Sequence, residues 1–174
     1  MNKTLNIITQ LLDSNDEDSL SHNLNMICKQ IGIDYYQVLY SSSKESAKGF
    51  SIAIDNLPFS WKIIYDDNGF VKVDPVLLKC YEQDKPILWK NVITECCDQK
   101  NEVGLDIMLL AQEAGLTDGV TIPYHCLNGG IGILSIFTKD THYCESDWFS
   151  IIPLICCIST YIFEILRRVS INNY

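Results

Sequence analysis

The stretch LPFSWKIIYDDNGFVKVDPV, residues 57–76, gathers side chains suited to holding a small polar molecule rather than transforming one. Trp61 and Tyr65 stand four residues apart, so on a helix they share a face. Trp supplies one N–H donor and Tyr one hydroxyl. Asp74 precedes Pro75, which biases it toward an extended backbone. Two readings fit these residues. One is a pair of core aromatics with an Asp that caps the helix after Pro75. The other is a closed pocket in which aromatic walls, one donor and one acceptor orient a polar head group.

Catalytic and metal chemistry find less support. His125 and Cys126 are neighbours in a segment that reads as a strand. Successive strand side chains point to opposite faces, so no thiol–imidazole pair forms there. His142 and Cys144 flank Tyr143 in a loop and read as surface residues. Ser135 lies in an apolar run without the strand–turn–helix of a nucleophile elbow. It reads either as a buried, hydrogen-bonded serine or as a ligand contact. Cys96-Cys97 and Cys156-Cys157 are vicinal, and His22, His125 and His142 lack ligand spacing. Gly129, Gly130 and Gly132 have neither the helix nor the Lys of a phosphate loop and read as hairpin glycines. No metal, cofactor or enzymatic activity is therefore expected.

The formal net charge of -9 argues against a direct grip on a phosphate backbone. The eight cysteines lie largely in apolar runs, and the polar, amphipathic start does not read as a signal peptide. A reducing cytoplasm without disulfides is the expectation. The apolar run IIPLICCISTYIFEIL, residues 151–166, contains Pro153 and Glu164 and falls short of the roughly 20 residues of a membrane span. It reads as a buried helix.

The elements that must position these residues follow from periodicity. Residues 3–13 read as a helix with Leu5, Ile8, Leu11 and Leu12 on one face. Residues 14–18 form a capping stretch. A second helix places Leu20, Leu24, Ile27 and Ile31 inward and ends at Gly32. DYYQVLYS and FSIAID read as paired strands around the polar loop SSSKESAKG. Pro58 opens a helix to about Asp67, broken by Asn68-Gly69. Short helices are expected over residues 75–83 and 91–97, and a clearer one over 105–113. GVTIPYHC and GIGILSIF form a hairpin around LNGG, and a long helix over residues 145–168 follows with Ser146 as its cap. Helices, hairpin, helices, hairpin and helix make one domain of the α+β class. An antiparallel sheet of about five strands lies between helical layers.

The combination NLPFSWKIIYDDNGFVKVDPV, PILW and AQEAGLTDGVTIPYHCLNGGIGILSIF resembles the autoinducer-binding domain of LuxR-type quorum-sensing regulators, over roughly residues 31–137. The resemblance implies an α-β-α, PAS/GAF-like sandwich that buries an N-acyl homoserine lactone between sheet and helices. By resemblance, Trp61 donates to the lactone carbonyl, Asp74 accepts from the ligand amide and Ser135 donates to the amide carbonyl. Tyr65, Trp89 and Val76 wall the pocket, and Gly119 serves backbone shape. Many members carry Tyr where this chain has Leu57, which removes a donor; Ser135 then acts alone or with Gln37. Ile131 and Ile133 share the Ser135 face, and their bulk favours a short or medium acyl chain. Cys80 reads as a pocket-side or a packed cysteine. The resemblance further implies a cytoplasmic homodimer that reaches promoter DNA, not a membrane, through a C-terminal helix-turn-helix domain absent from this chain. Residues 1–174 would then be the sensor domain alone.

Overall fold

The computed structural model describes residues 3–41, 50–127 and 129–172, with side chains placed from Asn6 to Val169 within them. Residues 1–2, 42–49, 128 and 173–174 lie outside the described residues, and with 42–49 goes most of the segment read as the polar loop SSSKESAKG.

Two helices open the chain, α1 (Lys3–Leu12) and α2 (Glu17–Ile31). Asp16 caps α2: its carboxylate accepts from the Ser19 N–H while the Ser19 hydroxyl reaches back to the Asp16 N–H. Gly32 closes α2 at φ 77°, in the left-handed region where glycine carries no Cβ penalty. The buried face of α1 is Ile7 and Leu11, whereas Leu12, expected inside, is 49% exposed. Its helix rotates by about one position because α1 packs against both α2 and the last helix.

Strands β1 (Tyr35–Ser41) and β2 (Ile52–Asp55) pair antiparallel as expected. Four helical segments cross over next: α3 (Phe59–Asp67), a 3₁₀ turn at Phe70–Lys72, α4 (Pro75–Glu82) and, after a short strand β3 (Ile87–Leu88), α5 (Trp89–Asp98). The sequence offered no sign of β3, since two residues carry no periodicity. α5 starts at Trp89, two residues earlier than expected. Helix α6 (Glu102–Glu113) likewise begins earlier, because the Asn101 side chain caps it by accepting from the Gly104 N–H. Strands β4 (Asp118–His125) and β5 (Ile131–Thr138) form the second hairpin, and α7 (Glu145–Asn172) ends the described chain.

The five strands form one antiparallel sheet in the order β2-β1-β5-β4-β3. Strand periodicity gives it two inner faces. Tyr36, Val38 and Tyr40 of β1 join Leu134 and Ile136 of β5 in a core under α1, α2 and α7. Ile133 and Phe137 join a second core with Trp61, Val76, Trp89 and Met108, covered by α3 to α6. The architecture is the expected α-β-α sandwich.

α7 corrects two expectations. The Cys144 N–H donates to the Asp147 carboxylate, so Asp147 rather than Ser146 ties down the first turn. The helix is also 28 residues long, so length and composition alone would let it cross a membrane. One face, including Trp148, Ile155, Ile162 and Phe163, is buried in the first core, as in a core helix.

Gly119 is required for room and not for an unusual backbone. An added Cβ would sit 2.7 Å from the Phe137 ring and 2.9 Å from the Ile136 carbonyl oxygen. Phe137 in turn meets Trp89 edge-on, with ring centroids 4.7 Å apart. Gly119→Ala should therefore displace Phe137 and cost about 1–3 kcal/mol of stability in a denaturant melt. A neutral result would refute this packing account.

Candidate ligand-binding site

Between the sheet and the α3–α4 layer lies a cavity of about 440 Å³. Each sequence-derived site residue reaches its wall: Trp61, Tyr65 and Leu57 from α3 and its approach, Asp74 and Val76 from α4, Trp89 from α5. Gln37, Ile133 and Ser135 line it from the sheet. Cys80 lines it too, and burial pushes its thiol up to about 12, with the Asp74 charge adding to the effect. Ile131 packs in the same core without reaching the cavity wall, so only Ile133 of that pair narrows it.

Asp74 caps α4 and also lines the cavity. Its backbone is extended, at φ −62° and ψ 116°, as a residue before proline should be. One carboxylate oxygen accepts from the Val76 and Leu77 N–H groups at 2.8 and 3.2 Å, capping α4. The other accepts from the Tyr65 hydroxyl at 2.8 Å. Burial raises the carboxyl above the usual range, against the pull of these three bonds. Burial and the neighbouring Asp74 push the Tyr65 phenol up in turn.

The roof is aromatic. Trp61 and Tyr65 meet edge-on at 5.5 Å, and Phe70 packs against both at 6.5 and 5.9 Å. Trp61 is 5% exposed, yet among the described residues its indole N–H has no hydrogen-bond partner. Trp61 lines the cavity.

The floor carries a row of polar side chains that follows the sheet register. Gln37 stands opposite Asp55 on one side and Ser135 on the other, and Ser135 stands opposite Thr121. All four line the cavity. The Trp89 indole donates to the Thr121 hydroxyl at 3.1 Å, and the Thr121 and Ser135 hydroxyls are 2.9 Å apart. An indole can only donate, so Thr121 must accept from it. Thr121 is fully buried, and its own proton then has Ser135 as its partner. This order, Trp89 to Thr121 to Ser135, leaves the Ser135 proton facing the cavity. At the other end, Asp55 accepts from the Leu57 N–H and forms an ion pair with Lys62, each at 3.1 Å.

Sequence reasoning missed Thr121, Phe137 and the Asp55–Lys62 pair. Counting outward from the four residues of LNGG would set Thr121 opposite Ile136; the observed register is one residue tighter and sets it opposite Ser135, so the turn did not hold that signal. The excluded dyad separates as its strand position implied: His125 pairs with Asp84, while Cys126 packs against the other core. Among the described residues no three potential metal ligands cluster, and all eight cysteines are free.

Residues 16–166 match the autoinducer binding domain family. The chain is 30% identical over 155 residues to the transcriptional activator protein AhyR of Aeromonas hydrophila, covering 88% of this chain and 58% of that one. It thus spans little more than half the length of that relative. In structure it resembles CepR2 of Burkholderia cenocepacia, an N-acylhomoserine lactone dependent LuxR family transcription factor. The TM-score is 0.76 at 14% identity, over 97% of this chain and 98% of that one. It also resembles Escherichia coli SdiA in complex with octanoyl-rac-glycerol. There the TM-score is 0.69 at 17% identity, over 96% of this chain and 66% of that one. The chain belongs to the autoinducer binding domain family of LuxR-type quorum-sensing regulators.

Proposed function

We propose that the chain senses an N-acyl homoserine lactone held in this cavity, with a short or medium acyl chain. The observation that carries the reading is that two buried cavity-lining residues, Trp61 with an unused donor and Asp74 with a carboxylate, come from the same helical layer. Trp61 offers an indole N–H without a partner among the described residues, and Asp74 offers a carboxylate with lone pairs beyond its cap and its Tyr65 bond. A lactone carbonyl and an acyl amide N–H need this pair, because a buried polar group without a partner costs several kcal/mol. Ser135 donates to the amide carbonyl, and Tyr65 and Trp89 enclose the head group. The name of CepR2 supports the ligand class. Occupancy completes the second core, stabilises the folded form and its homodimer, and thereby controls a C-terminal DNA-binding domain in the cytoplasm.

A second reading is a sensor of the same shape for a non-lactone acyl ligand. Leu57, which offers no hydroxyl to the cavity, favours it, as does the octanoyl-rac-glycerol in SdiA. Thermal melts with butanoyl to dodecanoyl homoserine lactones, and with octanoyl glycerol, separate the two. A ligand at 100 times its Kd should add about 2.7 kcal/mol to stability and raise the melting temperature accordingly. A shift with octanoyl glycerol alone selects the second reading, and no shift with either class rejects both.

A further inference from the structure

We propose that Gln37 reads an oxygen on the third carbon of the acyl chain, making the site selective for 3-oxo and 3-hydroxy acyl homoserine lactones over unsubstituted ones. The inference rests on the lactone reading above and concerns Gln37, the floor side chain that has no hydrogen bond among the described residues.

Gln37 sits in the middle of the polar row, between Asp55 and Ser135. Both ends of that row are satisfied within the protein. Ser135 receives the relay from Trp89 through Thr121, and Asp55 is engaged by the Leu57 N–H and by Lys62. Among the described residues, nothing is hydrogen-bonded to the Gln37 carboxamide, although it lines the cavity. A carboxamide offers two donors and an acceptor, and enclosing it beside an all-carbon chain leaves these unmet.

The register supplies the distance. Side chains directly opposite each other on antiparallel strands are about 5 Å apart at Cβ. With the amide carbonyl on Ser135, the neighbouring position along the acyl chain lies one strand away, over Gln37. A 3-oxo or 3-hydroxy oxygen is one methylene from the amide carbonyl, so the two oxygens fall to two facing side chains. The flanking row, Leu39 and Ile133, is apolar and suits the rest of the chain.

The test is titration calorimetry with hexanoyl, 3-oxohexanoyl and 3-hydroxyhexanoyl homoserine lactones, matched in length. The unaltered protein should bind both oxygenated ligands about tenfold or more tightly than the hexanoyl form. Gln37→Leu should erase that ratio by weakening the oxygenated ligands while the hexanoyl form keeps its affinity. Gln37→Glu should reject the 3-oxo ligand and retain the 3-hydroxy one, because a carboxylate only accepts and only the hydroxyl can donate to it. Equal binding of the three ligands by the unaltered protein overturns the proposal without any variant, as does a preference that survives Gln37→Leu. Lactone binding without a preference leaves the reading of the site standing, whereas no lactone binding at all removes both.

Discussion

Asp74→Asn is expected to leave the ligand-free protein folded while removing most of its response to ligand. The asparagine oxygen can still accept from the Val76 and Leu77 N–H groups, so the cap of α4 survives. The amide nitrogen then replaces the oxygen that now faces Tyr65, and the Tyr65 oxygen can accept from it. The change also removes a buried charge. Burial raises the Asp74 carboxyl, so between the ordinary carboxylate range and its raised folded value the folded state binds a proton that the unfolded chain has released, and above that value it is the charged acceptor. In the window above the ordinary carboxylate range of about 3.9, this group makes stability fall as pH rises toward its folded value. Asp74→Asn should flatten that decline. The ligand amide, by contrast, would meet a donor where it needs an acceptor. Loss of a hydrogen bond to a charged group is worth about 1.5–3 kcal/mol, or roughly 10- to 100-fold in affinity. Asp98→Asn, at the exposed end of α5, should change neither quantity. Calorimetry and melts of both variants check this, and equal effects would end the assignment of Asp74.

The residues that line the cavity were readable because local rules place them. An i,i+4 spacing puts Trp61 and Tyr65 together, Asp-Pro sets the cap, and period two carries Ile133 and Ser135 to one face. The sandwich was readable because the two hairpins and their helices announce themselves in order. What stayed hidden depends on contacts between distant segments. Thr121 matters through Trp89, 32 residues away, and β3 exists only because β4 offers it an edge. The face of α1 is set by α2 and α7 together, which no helical period within α1 encodes. Gly119 shows the same limit: its backbone is ordinary, and the Phe137 ring and the Ile136 carbonyl on the neighbouring strand explain why it has no side chain.

The two cavity tryptophans should give opposite results when each is changed to Phe. Both changes delete the same ring atoms at sites of similar burial, 5% exposed for Trp61 and 8% for Trp89, so the packing loss is comparable. The hydrogen bonds differ. Trp89 donates to Thr121 in the ligand-free protein, and losing that bond leaves the fully buried Thr121 hydroxyl with Ser135 as its remaining partner. Trp89→Phe should therefore cost about 1 kcal/mol more stability than Trp61→Phe in ligand-free melts. It also frees Thr121 to accept from Ser135, which turns that proton away from the ligand. Trp61 has no acceptor among the described residues, so on the proposed reading its N–H contributes to binding alone. Trp61→Phe should weaken lactone binding about tenfold through the stranded carbonyl. Truncating the ligand's lactone to a cyclopentyl ring should erase that difference between Trp61→Phe and the unaltered protein, because no carbonyl is left to serve. If Trp61→Phe keeps full affinity, or if the cyclopentyl ligand still distinguishes the two proteins, the indole does not hold the lactone.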